Sequence, residues 1–180
     1  MESEKLVKEL QDAGLLDESA GTKLKRESLL SGRSAEELIY DRRLIGEEEL
    51  AHFKSELLKV PYQKVDTEHF DDSLKELIPE ETVRTYAVAP IAKEDDLLLV
   101  GMVNPDNEKA RDALKFIGRR NRVNLGIYLI SYGDWQDVLK RYSPYKSEIE
   151  KAIKSLNLKP GEGRRKLIEL EEKMKAAGEE

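Results

Sequence analysis

The sequence of 180 residues contains no cysteine and only two histidines. Without cysteine there is no disulfide and no thiolate ligand for a metal, which suits a reducing compartment. His52 and His69 lie among acids and lysines and lack a second ligand at a usable spacing. Solvated positions explain both histidines better than a metal-binding or general-base role. We therefore predict no metal site and no cofactor.

An excess of positive charge is also missing. The chain carries 31 lysines and arginines against 37 acids, a formal net charge of −6, whereas nucleic-acid-binding surfaces normally show a basic excess. No apolar run approaches the length of a membrane span, and no apolar signal segment follows Met1. The expected protein is cytoplasmic, does not bind nucleic acid and does not insert into a membrane.

Motifs typical of catalysis are absent as well. Residues 161–166 lack the Gly-x4-Gly-Lys-Ser/Thr spacing whose backbone amides hold phosphates, and no dinucleotide-binding glycine fingerprint follows a predicted strand. Asp95 and Asp96 are adjacent acids, but they fall at a predicted hairpin tip, where such residues are typical of a turn. The sequence thus predicts no catalytic residue and a protein that is not an enzyme.

What the sequence does contain is a strongly apolar stretch near its middle. Six of the seven residues from Leu97 to Val103 are apolar, and such a short continuous run predicts a strand covered on both faces. An Asn-Pro-Asp turn leads from it into a predicted helix over 107–118. Further strands are predicted over 86–92, joined to the first as a hairpin, and over 123–130, where apolar residues alternate.

Residues 1–60 are predicted to be helical throughout and carry an internal repeat. A shift of about 29 residues superposes Leu10 on Ile39 and Leu24 on Phe53. Each copy is predicted to form a short helix, a turn and a longer helix. Two copies are too few for a solenoid, so we interpret them as a duplicated helical hairpin that packs on itself or on the next module.

These patterns together predict an α+β fold in three parts. A helical subdomain covers residues 1–60, and Pro61 ends its last helix. A small α/β sandwich of β-α-β-β-α-β-α order covers 61–143, with its first strand, an edge strand, at 62–65. A charged helical linker and tail covers 144–180.

Two sets of residues are candidates for contact with a partner protein. The first is a basic cluster of Arg119, Arg120 and Arg122 at the end of a predicted helix, although favourable charge at a helix C-terminus explains it equally well. The second is a sparse apolar stripe in the tail, a pattern more typical of a docking or solvated helix than of a core. The partner-binding candidates on that stripe are Leu167, Leu170 and Met174.

Several short segments of the sequence follow one another in an order and spacing that match a known family. They are Leu15–Glu18, Leu44–Leu50, Val60–Tyr62, Leu77–Glu81, Val88–Ile91, Leu97–Pro105, Leu114–Gly118 and Asp137–Tyr142. Together they resemble the N-terminal domain of type II secretion and type IV pilus assembly ATPases, the group of GspE, PilB and MshE. The resemblance covers roughly residues 4–142.

The resemblance implies a non-catalytic adaptor region of a secretion or pilus motor. Such a region contacts the inner-membrane platform, typically the cytoplasmic part of a GspL-like or PilM/PilN-like protein, and precedes an ATPase core. It is therefore expected to be peripheral to the inner membrane through its partner. No ATPase core lies within the 180 residues, which leaves open a fragment of a longer motor or a stand-alone domain whose core is in another chain.

Many members of that group also bind cyclic di-GMP through a duplicated motif whose copies begin with Arg-Leu-Gly and carry a later Gln. The matching starts here are Lys5-Leu6-Val7 and Ser34-Ala35-Glu36. Loss of both arginines removes charge-assisted bonds to the ligand, and Glu36 adds repulsion. An adaptor is the leading hypothesis, and a receptor for cyclic di-GMP or another anion is the alternative. The nucleotide-binding candidates that the resemblance implies are Lys5, Leu10, Leu15, Arg33 and Leu44.

Overall fold

The computed structural model describes residues 2–143, so the predicted tail over 144–180, with Leu167, Leu170 and Met174, lies outside the described residues. Within the described residues, the chain up to Val138 forms one compact unit. The helices are α1 Ser3–Asp12, α2 Glu18–Ser31, α3 Ala35–Arg42, α4 Glu47–Leu58, α5 Leu74–Leu77, α6 Glu80–Tyr86, α7 Glu108–Asn121 and α8 Tyr132–Tyr142. The strands are β1 Val88–Glu94, β2 Leu97–Met102 and β3 Asn124–Leu129.

The mixed α+β fold predicted from the sequence is confirmed. None of the helices in the described part of the chain has the length and apolar character needed to cross a membrane. The predicted boundary after residue 60 and the separate tail stay predictions.

The four N-terminal helices show the sequence repeat as a structural repeat. Helices α1 and α3 have 10 and 8 residues, and the helices that follow them, α2 and α4, have 14 and 12. The turn after each short helix has the same hydrogen bond, from Leu15 N to Leu10 O at 2.9 Å and from Leu44 N to Ile39 O at 3.1 Å. Gly14 in the first turn has φ +74° and Arg43 in the second has φ +52°. The two copies therefore share turn geometry as well as sequence spacing.

The left-handed backbone at Arg43 gives a testable difference between the copies. A residue with a Cβ atom in this conformation costs the folded state roughly 1–2 kcal/mol, and glycine removes that cost. Glycine also makes the unfolded chain more flexible, which cancels about half of the gain. Arg43→Gly should therefore stabilise the fold by about 0.5–1 kcal/mol. Urea unfolding measures this directly. Gly14→Ala is the matched control and should destabilise, because it places a side chain at φ +74°. A loss of stability in Arg43→Gly would contradict the shared geometry.

The sheet has the order β1-β2-β3, with the predicted apolar strand at its centre. β1 pairs antiparallel with β2 from Val88–Met102 to Glu94–Leu97, and β2 pairs parallel with β3 from Leu97–Asn124 to Met102–Leu129. Helix α7 supplies the crossover between the two parallel strands, as a parallel connection requires. The strands predicted at 86–92, 97–103 and 123–130 therefore correspond to β1, β2 and β3.

The predicted edge strand over 62–65 is wrong beyond a single pairing. Tyr62 forms an isolated parallel bridge with Leu129, in which Leu129 N donates to Pro61 O at 2.8 Å and Gln63 N donates to Leu129 O at 2.9 Å. Since β3 ends at Leu129, no further strand is available to extend the pairing. The order after residue 60 is therefore α-α-β-β-α-β-α.

A buried ion pair joins the second helical copy to the end of the central strand. Lys54 on α4 is fully buried and Glu36 on α3 is 4% exposed, with Lys54 Nζ 2.6 Å from Glu36 Oε2. The same ammonium donates to Val103 O at 2.6 Å and to Asn104 Oδ1 at 3.4 Å. Helices α3 and α4 are thus bound through one lysine to the residues that directly follow β2.

Candidate functional site

Helix α7 carries a cluster of exposed basic residues near its C-terminus. Its first turn is capped by Asn107, whose Oδ1 accepts from Ala110 N at 3.2 Å. Its apolar residues Ala110, Leu114 and Ile117 are buried, so the opposite side of the helix faces solvent. We use the name α7 basic surface for the exposed residues Arg111, Phe116, Arg119, Arg120 and Arg122.

The arginines of this surface are not neutralised by neighbouring acids. Lys115 pairs with Asp112 at 3.1 Å, but Arg111, Arg119, Arg120 and Arg122 form no ion pair within residues 2–143. The last three lie at the C-terminus of α7, where the helix dipole favours positive charge. The dipole accounts for their position, and the absence of acidic partners leaves their hydrogen-bonding groups available to an anion.

The α7 basic surface also contains one exposed aromatic side chain, Phe116. Phe116 is 66% exposed and lies, with Arg120, on the wall of a groove of about 390 Å³. Pro79 and Thr82, near and within α6, line the other side of this groove. A large exposed aromatic side chain beside a groove can serve as an anchor for contact with another protein.

The residues predicted to bind a nucleotide differ in their exposure and in their contacts. Lys5 is exposed on α1, whereas Leu10 is fully buried in the helical core and Leu15 packs against that core. Arg33 Nε donates to Glu37 Oε1 at 2.8 Å, and its guanidinium also pairs with Asp41. Leu44 is partly exposed in the second turn. Of the two cations in the set, Arg33 is already engaged by two carboxylates.

Sequence reasoning missed a polar network between α4, the segment at Tyr62 and the start of α8. Asp134 Oδ2 accepts from Ser131 N at 3.2 Å, and Asp134 N donates to Ser131 Oγ at 2.9 Å, a reciprocal cap of α8. Ser131 also bonds to Glu47 on α4. The Ser-Tyr-Gly-Asp sequence at 131–134 indicates the cap, but no local signal indicates the bond to Glu47.

Burial changes the acid–base properties of this network. Desolvation is the main cause that raises the pKa of Asp134, and bonds from Ser131 oppose it. Desolvation likewise raises the pKa of Tyr62, with a further contribution from the negative charges of Asp134 and Glu48. The network therefore holds its protons more tightly than free side chains do.

The raised pKa of Asp134 predicts a pH-dependent loss of stability. Because the folded state binds this proton more tightly than the unfolded state, the stabilising contribution of Asp134 is greatest below its unfolded pKa and is lost as pH rises through its folded pKa. Urea unfolding over acid to neutral pH should show that wild type loses stability relative to Asp134→Asn as pH rises. Asp66→Asn should give the opposite slope, because bonds from His69 lower the pKa of Asp66. If the difference in unfolding free energy between wild type and Asp134→Asn did not change with pH, the raised pKa of Asp134 would be contradicted.

A duplicated pair of helical hairpins, a three-stranded sheet with a helical crossover and a basic helix face define a mixed α+β module. A family model for the MshEN domain matches residues 58–149, which is half of the chain, and the chain belongs to this family. The resemblance to the N-terminal domain of type II secretion and type IV pilus assembly ATPases is thereby confirmed.

Solved structures show the same fold. The structure of MshE with cdg (cyclic di-GMP) has a TM-score of 0.55 at 20% identity, covering 76% of this chain and 97% of that one. The N-terminal domain of XpsE has a TM-score of 0.55 at 19% identity, covering 79% and 96%. No curated protein matches the chain.

Proposed function

We propose that this chain is a non-catalytic adaptor of a secretion or pilus motor that docks the cytoplasmic part of an inner-membrane platform protein, of GspL-like or PilM/PilN-like type. Docking through the α7 basic surface would hold the domain at the inner membrane by way of its partner. The observation that carries the proposal is the exposed Phe116 among arginines without acidic partners in the described structure. An ATPase core in the same or another chain would be coupled to the platform through this domain.

The chemistry of the α7 basic surface specifies an acidic partner with an apolar anchor. Arginine forms bidentate bonds with carboxylates, and such bonds give orientation as well as attraction. Phe116 would enter a pocket of the partner and supply most of the apolar contact, as central aromatic residues do at protein interfaces. Because the overall charge of the chain is −6, a local cluster of arginines attracts an acidic partner to this side of the domain and favours a docking orientation.

Reversing charge on this face should weaken docking. Arg119→Glu/Arg122→Glu is expected to reduce affinity for the platform protein of the same system at least about tenfold, with a steeper loss at low ionic strength. Isothermal titration calorimetry at two salt concentrations measures both effects. The matched control is Lys5→Glu/Lys8→Glu, which makes the same change in net charge at exposed positions of α1. Equal affinities of the two double variants would contradict docking through α7.

The proposed division into a helical half, residues 1–60, and an α/β half, residues 61–143, gives the adaptor two potential working surfaces. The Lys54–Glu36 pair and its bond to Val103 O connect these halves. A load applied at α7 would therefore be transmitted to the N-terminal helices through a buried contact rather than through a linker alone.

We propose cyclic di-GMP sensing as the second candidate function, because the fold is shared with MshE solved with that nucleotide. The chemistry of the helical half argues for weak binding at most, since Arg33 is engaged by Glu37 and Asp41. The adaptor hypothesis alone predicts no heat in a calorimetric titration of the full chain at high micromolar nucleotide. Saturable heat that is lost in Lys5→Ala would favour the sensor over the adaptor.

A further inference from the structure

A second surface with exposed apolar side chains lies at the end of α2, remote in sequence from α7. Leu29 and Leu30 are 78% and 79% exposed, the highest values among the large apolar residues of the described structure. Helix α2 buries only Gly21 and Leu24, and one side of its last two turns is exposed. Gly32, with φ +69°, then ends the helix. The two leucines are therefore held on a regular helix in a conformation that a partner can approach.

Positive charge accompanies these leucines. Leu30 lines a shallow groove of about 440 Å³ with Lys23, Arg26 and Arg42. Arg42 pairs with Glu27, whereas Lys23 and Arg26 have no acidic partner within residues 2–143. Lys23, Arg26 and Leu30 are spaced by three and four residues, which places them along one side of α2. We use the name α2 surface for Lys23, Arg26, Leu29 and Leu30.

We propose that the α2 surface binds a short acidic, amphipathic helix of a partner protein. The charge complementarity is directional: cations occupy the N-terminal part of the surface and leucines the C-terminal part, about 10 Å along the helix. A matching helix carries carboxylates over Lys23 and Arg26 and apolar residues over Leu29 and Leu30. This proposal concerns a different helix from α7 and does not depend on docking there.

Other occupants fit the surface less well. A helix that lies on a membrane has a long apolar face, whereas this surface has only two leucines beside two cations. A second copy of the chain is disfavoured, because the α2 surface of that copy would supply no free carboxylate to Lys23 and Arg26, since Glu27 of the same helix is engaged by Arg42. An acidic helix satisfies both the apolar and the charged parts of the surface.

The test uses the full chain and a synthetic probe. The probe is a fluorescein-labelled peptide of about 16 residues with leucines at i, i+3, i+4 and i+7 and glutamates elsewhere. Its control has the same leucines with lysines in place of glutamates. Fluorescence anisotropy should show saturable binding of the acidic peptide that is at least about tenfold weaker in Leu29→Ser/Leu30→Ser and in Lys23→Glu/Arg26→Glu. Arg119→Glu/Arg122→Glu should weaken binding of this peptide less than either of those two variants does.

Several outcomes would overturn the proposal. These are equal binding of the acidic and basic peptides, binding unaffected by Leu29→Ser/Leu30→Ser, or loss of binding only in Arg119→Glu/Arg122→Glu. Failure of the acidic peptide to bind would also overturn the proposal. In that case, sedimentation of the chain with phosphatidylglycerol vesicles that is lost in Leu29→Ser/Leu30→Ser would point to a lipid surface. Self-association in the ultracentrifuge that is lost in the same variant would point to a second copy. Because all four side chains are exposed, thermal unfolding should confirm that the variants remain folded.

Discussion

Replacing Lys54 with alanine is expected to lower the free energy of unfolding by about 3–5 kcal/mol. Lys54 is fully buried and Glu36 is 4% exposed, so the substitution leaves a carboxylate in the interior without its counter-ion. It also removes the donor that Val103 O accepts from at 2.6 Å. Urea denaturation monitored by circular dichroism measures the loss, which should move the unfolding midpoint well below that of wild type.

A double substitution separates the charge effect from lost packing. Lys54→Met/Glu36→Leu removes both charges and keeps apolar volume, so it should recover most of the stability lost in Lys54→Ala. Full recovery is not expected, because Val103 O loses its bond from Lys54. If Lys54→Ala cost less than about 1 kcal/mol, or if the double variant were the less stable one, the pair would not stabilise the contact of α3 and α4 with the residues that follow β2.

Gly101→Ala is expected to destabilise the fold by about 1–3 kcal/mol through overpacking. Gly101 lies in the central strand, and a Cβ there would meet Ile130 Cγ2 closer than 3.0 Å and Ile130 Cγ1 at 3.1 Å. Ile130 is itself fully buried and has little room to move. Alanine is otherwise no worse than glycine in a strand, so the loss measured in urea reports the clash.

Two controls make the Gly101 result specific. Gly126→Ala in β3 brings a Cβ against the Leu99 Cδ2 atom, but Leu99 is only half-buried and its methyl group can turn aside. Its cost should therefore be smaller. Combining Gly101→Ala with Ile130→Ala removes the clash, so the double variant should lose less than the sum of the single losses. Additive losses would place the cause elsewhere than at Ile130.

Local patterns were sufficient to predict the sheet and its crossover helix. The continuous apolar run at 97–103 gives β2, and alternation at 123–130 gives β3, because strand periodicity is a local property. The helix predicted over 107–118 is α7, which extends three residues further to Asn121. Gly118 does not end the helix: the left-handed residue that does is Arg122, where propensity alone favours glycine.

Features that depend on tertiary contacts could not be predicted from local sequence patterns. Lys54 is buried, and its partners Glu36, Val103 and Asn104 are all distant from it in sequence. The edge strand at Tyr62 fails because its partner β3 ends at Leu129, and the sequence of either segment alone does not reveal that. Leu29 and Leu30 show the reverse case, since apolar residues in a predicted helix remain exposed where no neighbour covers them.

Hydrogen–deuterium exchange on the complex with the platform protein tests the proposed adaptor role most directly. Amides on the exposed side of α7, over residues 108–122, and those of the adjoining groove near Thr82 should gain protection in the complex. The gain should disappear in Arg119→Glu/Arg122→Glu and persist in Lys5→Glu/Lys8→Glu. A complex in which α7 exchanges as fast as in the free chain would contradict docking through the α7 basic surface.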